Sequence, residues 1–96
     1  MEQTRLTGLI EGYYRILADF DACGAGEEAE ELNAELEDVI FLLENIDPDD
    51  EDAGEELSDA LEEMDDLTAA YDRLGQDVRE VNERLKALTA LARTQV

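Results

Sequence analysis

Histidine and tryptophan are absent from these 96 residues, cysteine and proline occur once each (Cys23, Pro48), and Lys86 is the only lysine. Without histidine the commonest general base and metal ligand is missing, and one thiol with no second cysteine can neither form an internal disulfide nor build a zinc site. A lone unpaired cysteine suits a reducing cytosol. No uninterrupted apolar run exceeds Val39–Leu43, five residues where a membrane span needs about 20. The first residues lack a basic stretch followed by an apolar one, so no secretory signal is expected and the expected location is cytoplasmic. Seven Lys and Arg against 28 Asp and Glu leave a net charge of −21, which excludes direct nucleic-acid binding through a basic surface and polybasic membrane anchoring.

What is present is helical. Apolar residues make up 44% of the chain, too many for a disordered acidic segment. They recur in steps of three and four at Leu6, Ile10, Tyr13, Leu17 and Phe20, and again at Ala29, Leu32, Leu36, Val39, Leu43 and Ile46. A third stripe holds heptad spacing through Leu57, Ala60, Met64, Leu67, Tyr71, Leu74, Val78, Val81, Leu85, Leu88 and Ala92. Between the first two stripes lie Ala22–Gly26, all small residues; between the second and third lies Asp47–Gly54, with the single proline. Residues 1–96 therefore read as one all-α domain with helices at about 4–22, 27–46 and 55–94. Because the third stripe keeps its phase through Gly75, the expected fold is a long antiparallel helical hairpin. Helices 1 and 2 stack or kink near Gly24, the turn lies at 47–54, and Gly75 is a close-packing position inside a long helix 3. Its apolar seam, centred on Leu67, Tyr71, Leu74, Val78, Val81, Leu85 and Leu88, is wide for one hairpin, so dimerisation to a four-helix bundle is expected. A compact three-helix bundle is the alternative. Cys23 is expected to be a buried structural thiol, Tyr13 a core residue, and Tyr14 a flanking residue or an exposed anchor.

Charge is segregated along the chain. Residues 27–66 hold twenty acids and no base, whereas the two ends together sum to −1. In a hairpin all the excess would sit at one end of the rod. The candidate partner-binding residues are Glu27, Glu28, Glu30, Glu31, Glu35, Glu37 and Asp38 in the second helical segment. Asp49, Asp50, Glu51 and Asp52 of the turn join them, with Glu55, Glu56, Asp59, Glu62 and Glu63 of the third. Over about 30 Å of paired helix their charge density matches the roughly 18 phosphates of a duplex of that length.

Catalytic and metal chemistry find no support. An EF-hand frame starting at Asp49 has Ala53 at its fifth position and Ala60 where a bidentate Glu belongs. Carboxylate pairs such as Glu27 with Glu31 and Glu62 with Asp66 lack the histidines of di-iron sites. Phosphate-binding loops, nucleophile elbows and zinc spacings are absent, so no enzyme activity, cofactor or metal is expected. The reading is a non-catalytic helical interaction protein whose segment 27–66 binds a basic protein surface as a nucleic-acid mimic and inhibitor. The alternative is a structural coiled-coil module whose acids serve solubility or salt adaptation.

Overall fold

Leu6, Leu9, Tyr13, Ile16, Leu17 and Phe20 fall on one stripe of the first helix, α1 (Gln3–Cys23), and all six are buried. The same logic builds α2 (Glu27–Glu44), α3 (Ala53–Asp72) and α4 (Arg79–Arg93), the last preceded by one 3₁₀ turn at Gln76–Val78. The computed structural model describes residues 2–94, and among these no strand occurs. Acids in the first turns of α2 (Glu27, Glu28, Glu30) and α3 (Glu55, Glu56) complement the positive ends of the helix dipoles. In the α2–α3 connection, Asp47 Oδ1 accepts the Asp49 backbone N–H and Asp50 Oδ1 that of Asp52, both at 3.0 Å. These local bonds give the acidic turn its shape.

Each helix packs against its neighbours in sequence, and α4 closes the ring onto α1. The pairings run antiparallel: Asp21 meets Asn33 between α1 and α2 while Tyr14 meets Glu44 at their other end. Between α3 and α4, Asp72 meets Asn82 and Asp65 meets Arg93. The result is an up-down-up-down four-helix bundle of 40 × 19 × 19 Å.

This differs from the expected hairpin at both junctions. α1 does not stack on α2 but folds back within three residues. Gly24 ends α1 in the left-handed conformation (φ 59°, ψ 37°), and Gly26 opens α2 at φ 99°, ψ −174°. The long helix 3 is likewise two helices. After Asp72 the chain turns at Gly75, whose φ of 93° and ψ of −157° lie where essentially only glycine is found. The heptad count survives because α3 and α4 line the same core, so two antiparallel helices reproduce the period of one. Nothing lies within 4 Å of a Cβ built on Gly75, so that glycine serves the turn and not close packing. The close approach occurs instead at Gly12, where a Cβ would come within 2.9 Å of Leu88 Cδ2. One chain thus supplies the four helices that were expected from two, and the wide seam needs no second copy. Of that seam, Leu67, Tyr71, Val78, Val81 and Leu85 are buried, while Leu74 and Leu88 are half-buried against the same core. Cys23 is only partly buried, beside the first turn.

Every interface in the ring carries a polar bond that is buried or, between α1 and α2, partly buried. Tyr71 donates its hydroxyl to Asn33 Oδ1 at 2.7 Å, and Asn33 Nδ2 donates to Asp21 Oδ1 at 2.9 Å, joining α3, α2 and α1. The Tyr71 ring stacks on Phe20, with centroids 3.9 Å apart and planes 4° from parallel. Asn82 Nδ2 donates to the Thr68 carbonyl at 3.1 Å and to Asp72 Oδ1 at 2.8 Å, tying α4 to α3. Tyr13 and Thr89 share a hydrogen bond of 3.0 Å between α1 and α4.

Two outcomes follow for stability. Gly75→Ala is expected to lower the unfolding free energy by about 1–3 kcal/mol, because alanine is strained at that φ and ψ. In a continuous helix the same change would raise it by about 1 kcal/mol, so the sign of the shift in denaturant midpoint separates the two folds. Burial pushes the Tyr13 phenol up to about 12. It also pushes the Tyr71 phenol up, with Asp21 and Glu35 adding to the effect. Both side chains keep in the folded state a proton that the unfolded chain releases near pH 10. The stability they contribute is complete below that pH and falls as pH rises toward 12, by about 1.4 kcal/mol per pH unit for each tyrosine. Tyr71→Phe should flatten this alkaline decline, read from denaturant midpoints at successive pH values. Near neutrality the same variant should cost about 1–2 kcal/mol by orphaning Asn33 Oδ1.

Candidate functional site: the acidic side of the bundle

Because α2 and α3 are ring neighbours, the acid-rich segment 27–66 covers one long side of the bundle and the turn at its end. It does not form the pole of a rod that the hairpin would have made. Along the groove between the two helices, α2 contributes Glu28, Glu31, Glu35 and Asp38 to one rim, in steps of three and four. The facing rim on α3 is Glu56, Asp59, Glu63 and Asp66. Glu35 and Asp38 meet Glu63 and Asp66 across the centre of the groove. At one end Arg73 closes the groove beside Glu28 and Glu31; at the other Leu42 and Asn45 lie opposite Glu56, Asp59 and Glu63.

Not all of the expected site residues share this groove. Glu27, Glu30, Glu51 and Glu55 are exposed outside its lining, and Asp49, Asp50 and Asp52 occupy the turn at the end of the bundle. Glu37 shares a helical stripe with Phe41 and Glu44 on the α1 side of α2, where Tyr14 donates its hydroxyl to Glu44. That bond, more than burial, raises the Tyr14 phenol above its ordinary range, and Glu37 adds to the rise. Tyr14 is thus an exposed residue on the α1–α2 edge. Glu62 faces α4, close enough for its charge to act on Arg93.

The chain's own cations are spent mostly elsewhere. Arg84 pairs with Asp19, and Lys86 with Asp72 at 2.9 Å and with Glu83 at 3.7 Å. The Lys86 hydrogen bond holds the Asp72 carboxyl below its ordinary range. Of the ion pairs among the described residues, one, Arg93 with Asp65, reaches segment 27–66. Away from Arg73 at one end, the rim carboxylates therefore face solvent at spacings of one helical turn without built-in counter-charge.

Asp66, Arg73, Leu42 and Asn45 belong to the groove but were not among the expected site residues. Asp66 continues the steps of Asp59 and Glu63 and was accessible from periodicity. The other three enter only because α2 and α3 are paired in this register. Among the described residues no group of three or more His, Cys, Asp or Glu is arranged to hold a metal ion, and no helix is long and apolar enough to cross a membrane. Comparisons with protein-family models, curated proteins and solved structures produced no match.

Like charges one turn apart oppose the helices that carry them by a few tenths of a kcal/mol per pair. Neutralising Glu31, Glu35 and Glu63 together to Gln is therefore expected to stabilise the fold by about 1 kcal/mol, or 4–8 °C in Tm at low ionic strength. The gain should shrink in about 1 M salt, where the screening length is near 3 Å. Thermal melts at the two salt concentrations check both the sign and the salt dependence.

Proposed function

We propose that the protein is a non-catalytic binder whose α2–α3 side engages a basic protein surface, competing there with nucleic acid. The observation that carries this reading is the one-sided distribution of charge. Residues 27–66, on two neighbouring helices and the turn between them, hold twenty acids and no base, with one internal ion pair to relieve them. Helices of 18 and 20 residues run about 27–30 Å, and a duplex of 30 Å presents roughly 18 phosphates. The Cα atoms of the bundle extend 19 Å across, and the α2–α3 side presents two helices abreast, about 20 Å wide with their side chains. A basic groove shaped for a duplex would meet similar charge over similar dimensions and gain in the same way from counterion release. Charge spread for solubility or salt adaptation would have no reason to spare α1 and α4. The assembly reading rested on a seam too wide for a hairpin, and within the bundle the chain's own helices cover that seam. The binding unit is the single chain, in a reducing cytoplasm that suits an unpaired cysteine.

Immobilised protein in an extract of the source organism is expected to retain proteins that elute with rising salt and are released by added duplex DNA. The Glu31→Gln, Glu35→Gln, Glu63→Gln triple variant should not retain them. Proteins held equally well by that variant, or held regardless of salt, would overturn the reading.

A further inference from the structure

The acidic side is not uniformly polar. Between its two rims the groove has an apolar floor made by Leu32, Val39, Ile46, Ala60 and Leu67, and Leu42 continues the α2 rim one turn beyond Asp38 in place of a carboxylate. Leu42 is 50% exposed, whereas its α2 neighbours Val39, Ile40 and Leu43 are buried in the core. A half-exposed leucine continuing a row of carboxylates adds nothing to an electrostatic imitation of phosphates, and it leaves apolar surface in water. It is useful to a partner that brings both cationic and apolar groups.

We propose that the groove between α2 and α3 receives a basic amphipathic helix of a protein partner, its apolar stripe seated on Leu42 and the groove floor and its Lys and Arg side chains reaching both rims. This rests on the reading of the acidic side as a site for a basic partner, and it names the element of that partner which enters. Two antiparallel helices at the usual 8–10 Å spacing leave a concave channel that a third helix fills ridge into groove. Such helix-in-groove binding places anchors at steps of three, four and seven residues. The rim positions recur with the same steps, from Glu28 to Asn45 on α2 and from Glu56 to Arg73 on α3. From Glu28 to Asn45 the channel runs about 26 Å, room for a helix of some 17 residues. Lysine and arginine suit the walls because their stems lie along apolar surface while their heads reach outward to carboxylates. Arg73 closes one end, so the occupant's cationic residues concentrate away from it, toward Asp38, Asp59 and Glu63.

The test uses two synthetic helical peptides of identical length and Lys, Arg and Leu content, one with leucines on a single stripe and one with them dispersed around the helix. Both are titrated into the full chain by fluorescence anisotropy at low and high salt. The striped peptide should bind at least about tenfold more tightly and keep more of its affinity at high salt, where the electrostatic part is screened. Leu42→Gln, an exposed substitution that leaves the core intact, should abolish that preference while leaving the dispersed peptide's affinity unchanged. Leu91→Gln, at an exposed site on α4, should change neither. Equal affinities for the two peptides, or an undiminished preference in Leu42→Gln, would overturn the proposal. So would loss of the preference in Phe41→Gln but not in Leu42→Gln, because the occupant would then lie on the α1–α2 edge. Failure of the underlying reading is seen separately: the Glu31→Gln, Glu35→Gln, Glu63→Gln variant would then bind both peptides as tightly as the unaltered chain.

Discussion

Positive φ at a few glycines is the constraint on which this structure depends. Gly24 and Gly26 reverse the chain in three residues, and Gly75 reverses it again after α3. A residue with a Cβ resists those conformations, so each reversal is tied to glycine and not to the length of the connection. Remove the first reversal and α1 and α2 become one rod; remove the second and α3 and α4 do. Only with both does α2 come to lie between α1 and α3, with α4 closing the ring. The turn at 47–54 alone makes the two acid-rich helices neighbours; the glycine reversals decide that their shared face is one side of a four-helix ring and not one end of a rod.

Apolar stripes alone leave the register between helices loose, since leucines on facing ridges tolerate sliding by a turn. Here each interface holds a directional bond as well: Asn33 to both Asp21 and Tyr71, Asn82 to Thr68 and Asp72, Tyr13 to Thr89. A slip by one turn would break these and strand buried polar atoms, at about 1–3 kcal/mol for each one left unpaired. The polar residues thus discriminate against alternative registers more than they add to net stability. Asn33 matters most for the site, because it fixes α2 against both flanking helices and so sets which α3 carboxylate faces which on α2.

Electrostatics works against the fold on the α2–α3 side and with it on the others. Arg84, Lys86 and Arg93 join α4 to α1 and α3, while the rim carboxylates repel one another along and across the groove. A core reaching from Leu6 to Ala92 tolerates that repulsion, and under the proposed function a cationic partner would recover the cost by displacing the condensed counterions. On that proposal stability and binding are opposed at the same side chains, a pattern common where activity needs a destabilised surface. Leu42 shows the same tension in apolar form: surface left in water that a suitable partner would cover.

The sequence by itself determined that the chain is helical, most of the residues that line its core (though not Leu9, Ile16 or Ile40), and that its net charge comes almost wholly from residues 27–66. Apolar period and charge count are local properties, readable wherever helices pack on one side. The break at Pro48 was legible for the same reason, since proline disrupts a helix wherever it stands inside one. Tertiary structure alone decided that four helices, and not three, form one ring. The stripe from Leu57 to Ala92 has the same phase whether it lies on one helix or on two that fold back to face a shared core, and a glycine's letter does not reveal the sign of its φ. Tertiary structure likewise turned a negative pole into a negative side. It brought Leu42, Asp66 and Arg73 into a groove with Glu35 and Asp38, because proximity between helices depends on register, which buried side chains such as Asn33 and Tyr71 select only once the chain has closed on itself.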